Sequence, residues 1–149
     1  MKRQPIDARD GAVHLTRRVD FAASHRLHNP RFTPAKNRAI FGLCWNPHGH
    51  GHNYALEVTV IGTPHPDTGM VINLRDLKRI LERVILKDCD HKNLNIDVPW
   101  LKGINPTAEN LAIVFWRRLE RRVRPGKLWR VRLFESRDNV VEYFGPSLD

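Results

Sequence analysis

Three histidines recur at alternate positions in the segment NPHGHGHNYALEVTV, residues 46–60. Because successive side chains of a strand point to opposite faces, His48, His50 and His52 would share one face if this segment is extended. The glycines between them leave room for a group to approach the backbone. Imidazole nitrogens are common metal ligands, so the spacing predicts a metal site at a strand end, against the alternative of a polar strand end that binds nothing.

A fourth histidine, His25, is expected close to His50 and His52. His25 ends a predicted strand in FAASHRL, and His50 and His52 begin the next strand. If the two strands pair as a hairpin, the end of one lies beside the start of the other, and the three imidazoles meet. Three protein ligands with an open position are typical of catalytic zinc, whereas structural zinc sites are closed by four. His48 could replace one of the three.

Two loop segments carry further reactive groups. Cys44 lies six residues before His50, and it is either a small buried hydrophobe or, close to a cation, a reactive thiolate. Asp90 directly precedes His91 in CDHKNLN, where a carboxylate can fix the tautomer of the imidazole and raise its basicity. By themselves, adjacent Asp and His residues are as consistent with an ordinary loop.

Glu135 is a carboxylate on an apolar strand pattern. It follows Trp129, Val131 and Leu133 at alternate positions, which predicts that the four side chains share one face. Burial of an unpartnered carboxylate is costly, so Glu135 needs a partner. That partner is either one of the many arginines or the N–H groups of a ligand.

The elements that must position these residues follow from hydrophobic periodicity. Alternation predicts four strands, and helical spacing of apolar residues predicts two helices, the second with Thr107 or Asn105 as its N-cap. The strands are 13–24, 50–62, 128–136 and 139–144, and the helices are 73–88 and 107–123. Segments 26–48 and 89–106 are predicted loops. The order β-β-α-α-β-β predicts an α+β fold with a four-stranded antiparallel sheet and both helices on one face. The other face would then be covered by further copies of the chain.

Composition narrows the class of protein. The 149 residues fit a leader at 1–12 and a single domain at 13–149. No segment has the length of a membrane span or the pattern of a secretory signal, and two cysteines do not form a disulfide scaffold, so we expect a cytoplasmic protein without a membrane partner. The net charge of +9 lies largely in residues 116–132. We interpret it as a solvated face that also attracts an anionic small substrate, since no nucleic-acid recognition motif is present.

Six motifs fall in the order and spacing of the 6-pyruvoyltetrahydropterin synthases, and over residues 13–145 the chain resembles this family. The motifs are FAASHRL, FGLCWNPHGHGHNY, TGMVINLRDLK, DHKNLN, PTAEN and FES. The resemblance implies a tunnelling fold, in which trimerisation forms an antiparallel barrel and two trimers stack into a homohexamer. Such an assembly would cover the bare face of the sheet.

The resemblance also implies roles for individual residues. The family's Zn²⁺ ligands correspond to three histidines, His25, His50 and His52. Cys44 would be the general base, and Asp90 with His91 would complete a proton relay that is assembled across a subunit boundary.

A pterin pocket is implied as well. Glu135 would hold the pterin's 2-amino and ring N–H groups, and Thr107 with Glu109 would form the second part of the pocket. The implied reaction converts 7,8-dihydroneopterin triphosphate to 6-pyruvoyltetrahydropterin with elimination of triphosphate, a step of tetrahydrobiopterin-type pterin biosynthesis.

Two alternatives remain open from the sequence. A sister enzyme, the 6-carboxytetrahydropterin synthase of queuosine and deazapurine biosynthesis, acts on the same substrate but usually has three residues between the cysteine and H-G-H. Five stand here, Trp45 to Gly49, and Asn73 replaces an acidic residue associated with the sister enzyme, which favours the pyruvoyl product. A basic zinc-containing nucleic-acid module is the remote alternative, and the lack of a fourth ligand counts against it. The chain departs from the family at His48, where Asn is frequent, and at Cys89, where Leu is usual.

Overall fold

The computed structural model describes residues 10–147 of the chain. Most of the predicted leader, residues 1–9, lies outside this range, and the division into a leader and one domain stays a prediction. Among the described residues, no helix is both long enough and apolar enough to span a membrane.

A five-stranded mixed sheet forms the centre of the molecule. Its strands are β1 (Val13–His25), β2 (His50–Gly62), β3 (Lys92–Asn93), β4 (Lys127–Phe134) and β5 (Val140–Tyr143). The order across the sheet is β3-β1-β2-β4-β5, in which β3 runs parallel to β1 and the other neighbours are antiparallel. The four predicted strands are therefore present. The predicted number of strands is wrong by one, because a two-residue strand is too short to show alternation.

Four α-helices accompany the sheet: α1 (Pro34–Phe41), α2 (Leu74–Leu81), α3 (Lys87–Cys89) and α4 (Ala108–Leu119). A π-helical turn, Glu82–Leu86, joins α2 to α3, so the predicted helix at 73–88 is one nearly continuous helical segment. The prediction of a loop over 26–48 is wrong, since this segment contains α1 and a 3₁₀ helix at Gly42–Trp45. Asn37 is the one buried residue of α1. The helix therefore has no apolar stripe from which it could be predicted.

The core lies between α2, α4 and one face of the sheet. Leu56, Val58 and Val60 alternate along β2 and are fully buried there, together with Leu77 of α2 and Phe115 of α4. The alternation that predicted β2 is thus the alternation of core and non-core side chains.

The opposite face of the sheet is polar. Glu57 contacts Arg132 at 3.5 Å, and Glu142 contacts Arg130 at 3.0 Å and Arg132 at 3.2 Å. The charged side chains on this face are therefore paired with one another within the chain. Its coverage by further copies, and the barrel formed by trimerisation, stay predictions.

A bulge in β4 corrects the predicted face of Trp129. The register pairs Thr59 with Arg130 but Val60 with Leu128, which leaves Trp129 as the extra residue. Leu128 takes the core position, and Trp129 is 44% exposed. Trp129 therefore does not share a face with Glu135.

Candidate active site

Three histidines meet at one end of the β1–β2 hairpin. The register places His25 opposite His50 and Ala23 opposite His52, so all three imidazoles lie on the core side at the strand ends. The Nε2 atom of His25 lies 3.1 Å from Nε2 of His50 and 3.1 Å from Nε2 of His52. Among residues 10–147 this is the one group of three or more potential metal-ligating side chains. His48 is exposed and does not belong to it.

A glycine lets the second strand start this close to the first. Gly49 has a φ of 74°, and a Cβ atom at this position would lie 2.8 Å from the carbonyl oxygen of His25. A larger residue would push the start of β2 away from the end of β1. The glycine spacing noted in the sequence therefore has a steric reason at Gly49.

The donor set fits zinc. Tetrahedral Zn²⁺ with Zn–N bonds of about 2.0–2.1 Å separates its nitrogen ligands by about 3.3–3.4 Å, close to the spacing of these Nε2 atoms. Nδ1 of His25 lies 2.8 Å from the carbonyl oxygen of Pro106. A carbonyl only accepts, so Nδ1 carries the hydrogen and Nε2 presents its lone pair to the centre of the cluster.

Burial keeps the imidazoles of His25 and His52 neutral. Desolvation lowers the pKa of His25 to about 4, against a smaller opposite effect of the hydrogen bond to Pro106. Desolvation also lowers the pKa of His52, while the charge of Glu135 opposes that shift. A neutral imidazole is the form that binds a metal ion, so the site is ready for one at neutral pH.

Thr107, Glu109 and Glu135 all line a cavity of about 620 Å³. Glu135 connects this cavity to the histidine cluster, because its Oε1 lies 3.7 Å from Nε2 of His52. Within the part of the chain that the structure describes, no arginine forms an ion pair with Glu135. The arginine alternative considered for Glu135 therefore finds no support.

Local structure explains how Thr107 and Glu109 reach this cavity. Thr107 is the N-cap of α4, and its Oγ1 accepts a hydrogen bond from the backbone N–H of Asn110 at 3.2 Å. Asn105, the other predicted cap, instead accepts from the backbone N–H of His28. Glu109 follows in the first turn of α4, where the helix dipole favours a negative charge.

Cys44 lies on the 3₁₀ helix and is half-buried. Its carbonyl oxygen accepts a hydrogen bond of 2.8 Å from the N–H of Leu27, two residues beyond His25. The loop that carries the thiol is thereby tied to the end of β1. The structure thus brings Cys44 to the same end of the sheet as the histidines.

Asp90 and His91 form a pair at the sheet edge. Oδ1 of Asp90 lies 2.9 Å from Nδ1 of His91 and accepts a 2.9 Å hydrogen bond from the backbone N–H of Ala22. The His91 side chain is 82% exposed. Over residues 10–147, no hydrogen bond or ion pair joins Cys44 to this pair. The relay that would combine them across a subunit boundary stays a prediction.

Sequence reasoning missed four residues around the site. Ile40 and Phe41 of α1 line the cavity. Because residues 26–48 were predicted to be a loop, nothing in the sequence indicated that these two side chains would face the site. Tyr54 and Pro106 contact Nδ1 of His25. Tyr54 shares its strand face with the histidines and could have been found from that alternation, whereas nothing in the sequence marks Pro106.

The fold and site together define an α+β protein with a cluster of three histidines that could hold a metal ion, close to an acid-lined cavity. The family model described as 6-pyruvoyl tetrahydropterin synthase matches residues 14–146. The chain belongs to this family, as its motifs predicted, and it is an enzyme of the lyase type.

Individual relatives agree with this assignment. The chain is 45% identical to the 6-pyruvoyl tetrahydrobiopterin synthase of Pongo abelii over 133 residues, which are 89% of this chain and 92% of that protein. The solved structure of Caenorhabditis elegans 6-pyruvoyl tetrahydropterin synthase matches with a TM-score of 0.86 and 36% identity, covering 91% of this chain and 97% of that one. The 6-carboxy-5,6,7,8-tetrahydropterin synthase of Rickettsia typhi is 31% identical over 116 residues, which are 68% of this chain and 75% of that protein.

Proposed function

We propose that this chain converts 7,8-dihydroneopterin triphosphate to 6-pyruvoyltetrahydropterin, with elimination of triphosphate. The observation that carries the proposal is the placement of Glu135, whose carboxylate lies 3.7 Å from His52 and lines the cavity beside the histidine cluster. A pterin held by this carboxylate would extend its side chain toward the three histidines. Family membership and the 45% identity to a protein named for this product support the same reaction.

We propose that Zn²⁺ occupies the cluster of His25, His50 and His52. The three Nε2 positions and the Nδ1 tautomer of His25 support a three-nitrogen site with an open position. A zinc ion bound there supplies Lewis acidity that polarises oxygen atoms of the substrate side chain.

Glu135, Thr107 and Glu109 would recognise the pterin. A carboxylate accepts hydrogen bonds only, and the 2-amino group and adjacent ring N–H of a pterin offer two donors in one plane. The cavity of about 620 Å³ lies within the range of pockets that bind small molecules. Thr107 adds a hydroxyl group to the lining of the cavity, and Glu109 adds a second carboxylate.

Proton transfer would fall to Cys44, with Asp90 and His91. Cys44 would act as the general base that removes a proton from the substrate side chain. Asp90 holds Nδ1 of His91 at 2.9 Å, so the Nε2 atom of the exposed imidazole is free to exchange a proton with a group supplied by another subunit.

We further propose assembly into a homohexamer of two trimers. Ile96, just beyond edge strand β3, is 78% exposed, and Phe144, just beyond edge strand β5, is 56% exposed. Exposed apolar residues at two unpaired sheet edges support edge-to-edge association of copies, which would also bring His91 of one copy toward the site of another. The two free cysteines support a cytoplasmic location.

A product assay on 7,8-dihydroneopterin triphosphate tests the reaction. We expect release of triphosphate and formation of 6-pyruvoyltetrahydropterin, identified by mass spectrometry under reducing conditions. Acetaldehyde and 6-carboxytetrahydropterin would instead identify the activity of the sister enzyme. Absence of turnover by zinc-loaded protein would overturn both.

The metal requirement is tested by His50→Ala. Two neutral ligands hold a zinc ion far less well than three, so the variant is expected to lose both Zn²⁺ and turnover. His48→Ala is the matched control, because His48 is exposed outside the cluster and its loss should leave the zinc content unchanged. Full zinc occupancy in the His50 variant would remove this residue from the site.

A further inference from the structure

A buried tyrosine lies behind the metal-site histidines. Tyr54 is 1% exposed and lies on β2, two residues beyond His52. Its ring stacks on Phe21 with 4.9 Å between centroids and 9° between planes. Its hydroxyl oxygen lies 3.2 Å from Nδ1 of His25. Packing therefore fixes the hydroxyl against the histidine that is itself most deeply buried.

Nδ1 of His25 has two oxygen neighbours. The carbonyl oxygen of Pro106 lies at 2.8 Å, and the hydroxyl oxygen of Tyr54 lies at 3.2 Å. Because the carbonyl can only accept, the hydrogen belongs to Nδ1 and is shared between the two oxygens as a bifurcated bond. The Tyr54 hydroxyl thus accepts from the imidazole on the side opposite to Nε2.

We infer that Tyr54 is a positioning residue for the metal site, which fixes the ring orientation of His25, while the carbonyl of Pro106 sets the tautomer. The inference rests on the metal-dependent function proposed above. With the hydrogen held on Nδ1, the Nε2 lone pair faces the other two Nε2 atoms, each 3.1 Å away. The opposite tautomer places a hydrogen on Nε2, where it blocks coordination. Tyr54 therefore raises the affinity of the cluster for Zn²⁺ without touching the ion.

The hydroxyl group, rather than the ring, carries this role. Phenylalanine at position 54 would fill the same space and keep the stacking on Phe21. A buried hydroxyl without a partner is unfavourable. Among the described residues, the Tyr54 hydroxyl has Nδ1 of His25 as its hydrogen-bond partner. The role of Tyr54 is thus separable from core packing by the removal of one oxygen atom.

Tyr54→Phe tests the inference, with Tyr143→Phe as the matched control. The chain has two tyrosines. The other one, Tyr143 of β5, packs against Trp116 of α4, with 5.6 Å between ring centroids. The dissociation constant for Zn²⁺ is measured by competition with a chromophoric chelator. We expect about tenfold weaker binding for Tyr54→Phe, at the lower end of the range for residues that contact metal ligands, because Pro106 still accepts from Nδ1. Tyr143→Phe should bind zinc as the native protein does.

A second measurement separates positioning from general destabilisation. The ¹⁵N shifts of the imidazoles in the metal-free protein report which ring nitrogen carries the hydrogen. Nδ1 of His25 should carry the hydrogen in both the native protein and Tyr54→Phe, because the carbonyl of Pro106 still accepts it, but the Nδ1 shift should change in Tyr54→Phe because one of its two oxygen neighbours is lost. Loss of thermal stability alone, with the His25 shifts and the zinc affinity retained, would make Tyr54 a packing residue.

The outcomes distinguish this inference from the proposed function. If His50→Ala loses zinc while Tyr54→Phe binds it within about twofold of native, the metal site stands and the role of Tyr54 is overturned. If His50→Ala keeps zinc, the metal site itself is wrong. Weaker zinc binding together with a changed Nδ1 shift of His25 in Tyr54→Phe supports the inference.

Discussion

Replacement of Glu135 by glutamine tests whether its carboxylate holds the N–H groups of a ligand. The side chain is about one-fifth exposed and lies at the end of β4, where the backbone N–H of Glu135 bonds to the carbonyl oxygen of Asn139 at 3.1 Å. Its ionisable neighbour within 4 Å is His52, which is neutral at pH 7. Glutamine keeps the size of the side chain but replaces one acceptor oxygen with an NH₂ group that opposes the ligand's donors.

The expected magnitude follows from this chemistry. A hydrogen bond to a charged group contributes about 1.5–3 kcal/mol, and the half-buried position of Glu135 limits competition from water. Since about 1.4 kcal/mol corresponds to a tenfold change in affinity, the dissociation constant for a pterin should rise by about 10- to 150-fold. The zinc content should remain at the native value.

Fluorescence titration with a pterin that lacks the triphosphate measures this affinity without turnover. Glu142→Gln is the matched control, because Glu142 pairs with Arg130 and Arg132 on the opposite face of the sheet. A Glu135→Gln variant whose dissociation constant stays within about twofold of native would refute the role of Glu135 in pterin binding. Loss of zinc with unchanged pterin affinity would instead assign Glu135 to the support of His52.

Four further predictions concern the cysteines and the start of α4. Cys44→Ala should keep zinc and pterin affinity but lose about 10²–10⁴-fold in turnover, the usual contribution of a general base, and turnover within a few-fold of native would place the base elsewhere. Burial raises the pKa of Cys89 to about 12, so alkylation of the native protein at pH ~8 should label Cys44 alone, as checked by peptide mass spectrometry. The folded protein then holds a proton on Cys89 that the unfolded chain loses above its ordinary pKa of 9.0, so the free energy of unfolding should fall as pH rises from about 9 to 12, and less so in Cys89→Ala. Thr107→Ala removes the N-cap and should cost about 1 kcal/mol in thermal unfolding, whereas Thr107→Ser should retain the cap; equal stability of both variants would contradict the capping role.

The histidine cluster could be predicted from the sequence because strand geometry has a fixed period. Alternation along β2 predicted its bounds, 50–62, as the structure has them, and hairpin pairing then placed His25 beside His50. The same periodicity marked the buried residues Leu56 and Val58. Where one face of an element is buried over its whole length, the local pattern and the tertiary environment carry the same information.

Elements without a continuous buried face could not be predicted this way. Helix α1 buries Asn37 alone, and strand β3 has two residues, so neither leaves a period in the sequence. The bulge at Trp129 reverses the alternation of β4 at a single residue. Its position depends on the partner strand β2 and has no local pattern of its own.

The sequence by itself determined the chemical types at the site, the strand that carries two of the histidines and the family motifs that contain them. Only the tertiary structure decided which of these groups come together. It places Glu135 within 3.7 Å of His52, Thr107 and Glu109 in the same cavity, and Tyr54 behind His25. Among the described residues, no hydrogen bond or ion pair joins Asp90 to Cys44. These placements depend on how α4 and the loops pack at the end of the sheet, and packing contacts between distant segments leave no spacing in a sequence from which a distance can be obtained.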